Sequence, residues 1–275
     1  MADLTPIQPS LFAARATARF AARSSVRAVA HKQYRRTTEA VQAEYDPQRE
    51  AFRRRFLESE WSADEYVMTD VGATDTYFFA NILDGRLVVG GSDEVRHRLL
   101  TRLADEIQRV SARSVIEVGS GTGRNLLFLK SRMPWLKATG LELSRPSVEV
   151  AIEASRRYGI EAAFHQHDVT KPWPVEDPAD VVFSVHALEQ MPRQAAKAAQ
   201  LMQEHARKAV LLFEPLPDLW SGPIGLASRL RARYLDRLRA HAFDALSVER
   251  RELLPDGMAL NRTTEIFLLP LARPA

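Results

Sequence analysis

The sequence predicts an α/β fold: a doubly wound, mostly parallel seven-stranded sheet, with an N-terminal helical extension and a helical insertion before the last two strands. Three observations predict it. From residue 93 onward, short apolar runs alternate with segments of helical periodicity. The first such run enters a turn with glycines at 119, 121 and 123. The chain closes on two extended segments, about 246–254 and 260–270, joined by Pro255-Asp-Gly257. Strands alternating with helices imply βαβ units and parallel pairing, and a terminal hairpin closes one edge of the sheet.

Each element has its own signal. Val95, Leu99, Leu103, Ile107 and Val110 recur at helical spacing, which predicts a helix over 93–110 with Ser92 as N-cap. Ser114–Val118 reads as the first buried strand, 123–132 as a helix and 138–142 as the second strand. Residues 146–158 read as a helix stopped at Gly159. Strands follow at 160–167, 179–185 and 209–213, with a helix over 194–206. Residues 224–243 read as a long helix carrying Arg229, Arg231, Arg233, Arg237 and Arg239. Upstream, residues 1–60 read as two helices with a break near Asp46-Pro47. Asp84-Gly85 between apolar runs 77–83 and 86–89 predicts a β-hairpin. The expected division is an extension over 1–92, suited to a lid or to homodimerisation, and a core over 93–275 with an insertion at about 216–244.

Composition narrows the function classes. The chain is 45% hydrophobic and 27% charged, as in ordinary globular proteins, and no apolar run approaches the roughly 20 residues of a membrane span. Cysteine is absent, which excludes disulfides, thiolate metal sites and a cysteine nucleophile. The cytoplasm is the expected compartment. Net charge is +3, and residues 1–60 hold 11 Lys and Arg against 7 Asp and Glu. This permits a nucleic-acid partner without favouring one. Residues 4–38 contain no acid, a composition shared with transit peptides, but Arg15, Arg19, Arg23 and Arg27 recur every four residues. A solvated helix face is the expected reading of that stripe, with contact to an anionic partner or lipid surface as the sharper one.

The chemistry centres on Val115-Ile-Glu-Val-Gly-Ser-Gly-Thr-Gly-Arg-Asn125. An apolar strand enters a glycine-rich turn and then a helix, whose N-terminus offers free N–H groups. The spacing is G-x-G-x-G, not the G-x-G-x-x-G of dinucleotide sites. The strand-end acid Glu117 would repel a pyrophosphate but suits the ammonium of an amino-acid ligand. This stretch resembles the first motif of the class I S-adenosylmethionine-dependent methyltransferases, and the resemblance covers roughly residues 93–272. It implies S-adenosyl-L-methionine as cofactor, bound by Glu117, Gly119, Ser120, Gly121, Gly123 and Asn125. Glu142, 19 residues after Gly123, would hold the ribose hydroxyls. By the same resemblance Asp168 would accept from the adenine amino group, Leu143 and Val169 would flank the base, and Val185 would edge the methyl-transfer site.

Candidates for catalysis lie beyond the strand ends. His186 follows the fourth strand directly and is placed to act as a base. Glu189, three residues on, would orient it in a helical turn. Glu214, ending the fifth strand, would position a substrate amine or bind backbone groups. His165 and His167 find no third ligand in sequence, so no metal site is expected. The segment Ser184-Val-His-Ala lacks the Asn/Asp-Pro-Pro-aromatic sequence of amino-directed nucleic-acid methyltransferases. The favoured expectation is therefore methylation of an oxygen or nitrogen of a small molecule, buried under segments 1–92 and 216–244. Trp61, Tyr66, Tyr77, Phe78, Phe79 and the stretch ending at Trp220 are candidate walls. The alternatives are methylation of a macromolecule (RNA or protein) held by the arginine-rich helices, and a cofactor-binding homologue without catalysis.

Overall fold

The computed structural model describes residues 8–9, 37–69, 80–175, 177–220, 238–258 and 261–271. In chain order these form β1 (Gln8–Pro9), α1 (Thr38–Glu58), α2 (Ala63–Met68), β2 (Ala80–Leu83), β3 (Arg86–Val89), α3 (Ser92–Arg109), β4 (Ser114–Val118) and α4 (Arg124–Arg132). Then come β5 (Lys137–Glu142), α5 (Arg145–Tyr158), β6 (Ala163–Gln166), β7 (Ala179–Val185), α6 (Ala195–Glu204) and β8 (Ala206–Glu214). The tail adds β9 (Val248–Leu253), β10 (Gly257–Met258) and β11 (Thr264–Leu268).

The main sheet has seven strands in the order β6-β5-β4-β7-β8-β11-β9. The first five run parallel, and β11 is antiparallel to both β8 and β9. The order reverses beside β4, so the crevice between the carboxyl ends of β4 and β7 is the topological switch point, where open α/β sheets bind ligands. The central strands β4 and β7 are buried on both faces, which explains why apolar residues predominate on both. Val181 and Phe183 of β7 face one core with Phe52, Phe56, Leu103 and Leu126. Val182 faces the other, with Met202, Trp173 and Phe243.

Three local expectations are corrected. Helix α1 does not break at Asp46-Pro47 but runs through Pro47 to Glu58. An interior proline disfavours a helix by about 3 kcal/mol. Phe52 and Phe56 on the same helix are buried, and full burial of such side chains contributes about 1.5–3 kcal/mol each, enough to offset it. Gly91, in the left-handed region at φ 72°, takes the N-cap position of α3 in place of Ser92. Ser92 Oγ instead accepts from Asn81 at 3.2 Å. The helix expected over 224–243 has no α-helical turn where it is described: Leu238 and Arg239 are non-helical, and Ala240–Phe243 is a 3-10 turn. The hairpin turn at Asp84-Gly85 is observed between β2 and β3. Tyr77, Phe78, Phe79, the arginine stripe at 15–27 and the arginines 229–237 lie outside the described residues.

The extension is tied to the core by specific bonds. Tyr66 Oη donates to Thr122 O at 2.6 Å, Arg96 Nε to Val67 O at 2.7 Å, and Tyr158 Oη to Trp61 O at 2.9 Å. Arg124 donates to Thr69 O. Glu265, fully buried on β11, pairs with Arg102 of α3 at 2.6 Å and with Arg250 of β9, locking α3 onto the sheet edge. The tail also closes a second sheet, β1-β3-β2-β10, by pairing Gly257 with Ile82 and Met258 with Asn81. Among the described residues no helix is long and apolar enough to cross a membrane.

Candidate functional site

The turn after β4 is shaped from below. Gly119 N and Ser120 N both donate to Leu141 O of β5, at 2.8 and 3.1 Å, which folds the loop back over the neighbouring strand. The glycines serve different neighbours. A Cβ on Gly119 would lie 2.4 Å from Cβ of Ala187, so this glycine admits the segment after β7. A Cβ on Gly123 would meet Phe164 and Ala151 within 3 Å, so that glycine admits packing from β6 and α5. Of these three loop glycines, Gly121 alone, at φ +53°, leaves open space for an added Cβ.

That open space is a cavity of about 550 Å³ at the carboxyl ends of the strands, inside the roughly 300–1,000 Å³ range of small-molecule sites. Gly119, Ser120, Gly121, Asn125, Glu142 and Leu143 line one part of it, and Asp168 and Val169 extend that wall. Val185, His186 and Glu189 form another part. Glu117 and Gly123 do not reach the surface of the cavity. Glu117 is fully buried behind it, and Gly123 is turned toward Phe164.

The carboxylates differ sharply. Each oxygen of Glu142 accepts one backbone N–H, from Gly121 and from Ser144, both at 2.8 Å. Burial raises its pKa, and those bonds oppose the rise. Glu117 Oε1 accepts from Asn125 Nδ2 at 2.6 Å, while Oε2 has no partner among the described residues. Burial pushes the Glu117 carboxyl up to about 8. Asn125 Oδ1 in turn accepts from Arg96 at 2.9 Å. Asp168 Oδ1 is taken by the Thr170 hydroxyl and N–H, at 2.7 and 3.0 Å.

His186 occupies the left-handed region at φ 54°, a conformation that costs a non-glycine residue of order 1 kcal/mol and gathers at functional sites. Glu214 holds it there. Its carboxylate, fully buried at the end of β8, accepts from Ser184 Oγ (2.8 Å), Ala187 N (3.0 Å), Leu188 N (3.0 Å) and Glu189 N (3.1 Å). Glu214 thus binds backbone, the plainer of the two roles expected for it, and burial pushes it up to about 7. Glu189 Oε1 lies 3.2 Å from Nδ1 of His186, and Thr263 Oγ1 lies 2.7 Å from Nε2. Burial works to lower the imidazole pKa, but the Glu189 bond and the charges of Glu189 and Glu214 hold it above the ordinary value.

Sequence reasoning missed several lining groups. Val41, Gln42, Tyr45 and Arg49 of α1 line the cavity on the Glu142 side, and Gln42 donates to Leu143 O at 3.4 Å. Their i, i+1, i+4, i+8 spacing was a readable signal of one helix face, obscured by the expected break at Pro47. Met258, Asn261 and Thr263 line it from the tail. No local pattern announces them, because a turn and a ladder with β2 bring them there. Trp61, Tyr66 and Trp220 line no part of the cavity. Tyr66 and Trp220 are buried and Trp61 packs on the core, so these aromatics serve packing. His167 reaches the cavity wall and His165 does not.

The donor set suits an S-adenosylmethionine ligand. Glu142 keeps lone pairs for hydroxyls at the cavity wall, Gly121 leaves room for close approach, and the orphaned Glu117 Oε2 awaits a donor behind the loop. Comparison with known proteins agrees. Residues 115–209 match a family model described as a methyltransferase domain. Magnesium protoporphyrin IX methyltransferase (ChlM) from Synechocystis PCC 6803, with bound SAH, superposes with a TM-score of 0.54 at 11% identity, over 85% of this chain and 100% of that one. The 4+2 cyclase SpnF superposes with a TM-score of 0.55 at 18% identity, over 79% of this chain and 75% of that one. Residues 115–209 thus carry a methyltransferase domain, and the seven-stranded sheet that completes it has the fold of the class I S-adenosylmethionine-dependent methyltransferases.

Proposed function

We propose that this enzyme methylates an oxygen or nitrogen atom of a small molecule, with His186 accepting the proton of the acceptor and Glu189 orienting the imidazole. The observation that carries this reading is the position of His186. It stands at the wall of the cavity, directly after the strand beside the glycine loop, in a strained conformation fixed by a buried carboxylate and backed by a second one.

When bound, S-adenosylmethionine supplies an electrophilic methyl group on a sulfonium. The residues of the chain do the rest. Gly119, Ser120, Gly121 and Asn125 lie around the methionine end, with Glu117 behind them. Glu142 takes the ribose hydroxyls, and Leu143, Asp168 and Val169 surround the adenine. Helix α1 covers this half as a lid. His186, neutral, takes a proton from the acceptor's O–H or N–H, and Glu189 stabilises the resulting cation. The cavity of about 550 Å³ falls in the size range of small-molecule sites.

The test is transfer of radiolabelled methyl from S-adenosylmethionine to a panel of hydroxyl- and amine-bearing small molecules, alongside RNA and protein fractions. Label in small molecules, lost in His186→Gln with cofactor affinity retained, supports the reading. Label confined to RNA or protein, falling steeply with salt as phosphate contacts do, overturns it. Cofactor binding with no transfer to any fraction overturns it as well.

A further inference from the structure

We infer that Asn261 and Thr263, on the strap between β10 and β11, are positioning residues that present Nε2 of His186, and not Nδ1, to the acceptor. This rests on the reading of His186 as the base.

Hydrogen-bond chemistry decides which nitrogen is basic. Glu189 Oε1 lies 3.2 Å from Nδ1, and an ionised carboxylate can only accept. In the neutral ring the proton therefore sits on Nδ1, and the lone pair is on Nε2. Thr263 Oγ1, 2.7 Å from Nε2, donates to that lone pair. A hydroxyl can also accept, so the same contact serves the ring after it is protonated. Asn261 Nδ2 lies 3.2 and 3.4 Å from the two oxygens of Glu189 and 3.3 Å from Nδ1. It donates to the carboxylate, sharing Oε1 with the imidazole N–H. The opposite tautomer would set the Nδ1 lone pair against the carboxylate at 3.2 Å, which is repulsive.

The placement of the strap does not depend on His186. Leu254 N donates to Thr263 O and Asn261 N to Met258 O, both at 3.0 Å. Arg262 donates to Leu254 O at 3.0 Å. The β10–β2 ladder and Asp256, which accepts from Asp84 N and from Arg98, both at 2.8 Å, anchor the strap to the β2–β3 hairpin. The charged groups facing the ring are Glu189 on its own turn and Glu214 from β8. The strap contributes the neutral Asn261 and Thr263. In the proton transfer the acceptor's O–H or N–H takes over the Nε2 lone pair as the Thr263 hydroxyl turns away. The proton moves to Nε2, Nδ1–H stays on Glu189, and the proton later leaves to water.

The test is nitrogen-15 NMR of the full chain carrying labelled imidazoles. His186 is identified among the seven histidines by loss of its signal in His186→Gln. The expected wild-type state at alkaline pH is the Nδ1–H tautomer. In Asn261→Ala the His186 titration midpoint moves up, because Glu189 loses a donor and more of its charge acts on the ring. In Thr263→Val the Nε2 resonance shifts, and Thr263→Ser restores it. Signals of the other histidines stay in place, as a general structural disturbance would not allow; Asn261→Ser substitutes if Asn261→Ala fails to fold. An Nε2–H tautomer in the wild type overturns the proposal. So do folded Asn261 and Thr263 variants whose His186 resonances and midpoint match the wild type. Failure of the base assignment reads differently: methyl transfer would persist in His186→Gln whichever tautomer is found.

Discussion

The buried carboxylate of Glu214 accepts the backbone N–H groups of Ala187 and Leu188, each at 3.0 Å, so the residue that ends one strand fixes the turn that begins beyond its neighbour. This relationship makes Glu214→Ala a structural lesion at the site. Leaving buried donors unsatisfied costs about 1–3 kcal/mol each. Glu214→Ala is expected to lose at least about 3 kcal/mol in denaturant unfolding and to abolish methyl transfer. Glu214→Gln is expected to lose less, because its amide oxygen still accepts on one side.

Replacing two of the three loop glycines separates packing from ligand access. Gly119→Ala puts a Cβ 2.4 Å from that of Ala187 and is expected to lower the melting temperature strongly. Gly121→Ala meets no protein atom within 4 Å and carries only the strain of a positive φ, about 1 kcal/mol. Its main expected effect is weaker cofactor binding, read by calorimetry.

Glu142→Ala is expected to weaken S-adenosylmethionine binding about tenfold or more, since hydrogen bonds to a charged group contribute about 1.5–3 kcal/mol. A calorimetric titration with unchanged affinity would remove Glu142 from the cofactor site. The variant also strips partners from Gly121 N and Ser144 N, so its melting temperature should be read beside the affinity.

Stability of the ligand-free protein is expected to fall as pH rises from about 4.5 to about 8. Burial raises Glu117 to about 8 and Glu214 to about 7, from an unfolded value near 4.5. The folded state therefore binds more protons through that window, and its advantage is lost as pH climbs through the raised values. The raised His186 pKa acts in the same direction. Melting temperatures across pH 4.5–8.5 check this, and Glu117→Gln should flatten the slope.

For catalysis, His186→Gln is expected to lower kcat by about 10²–10⁴, the usual contribution of a positioned base. The wild-type rate should rise with pH through the raised imidazole pKa. In Glu189→Gln the midpoint should move down, because the group that raises it has lost its charge.

Much of this was legible in the sequence because it depends on short-range pattern. The strands 114–118 and 179–185 were readable to the residue, since a strand buried on both faces is a short, mainly apolar stretch, here interrupted only by Glu117, Asp180 and Ser184. The glycine loop, Glu142 and Asp168 stand at strand ends, where chain order alone places them together. His186 and Glu189 were readable as a pair from their three-residue separation, although the segment joining them starts from the left-handed conformation of His186 and not from a helical residue. Other features were not readable. Helix α1 continues through Pro47 because burial of Phe52 and Phe56 overrides a local signal. Asn261 and Thr263 stand more than 70 residues from His186, and only the β10–β2 ladder and the β11 register deliver them.

The sequence by itself determined the sheet, its order of strands and helices, and the residues at the carboxyl ends, because local periodicity and turn chemistry encode them. The tertiary structure alone decided which loop glycine faces the cavity and which merely admits a neighbour. It also decided that Glu214 serves backbone rather than substrate, and that a strap from the tail completes the histidine. The physical reason is that burial, contact distance and hydrogen-bond pairing belong to groups far apart in the chain, and no single segment carries them.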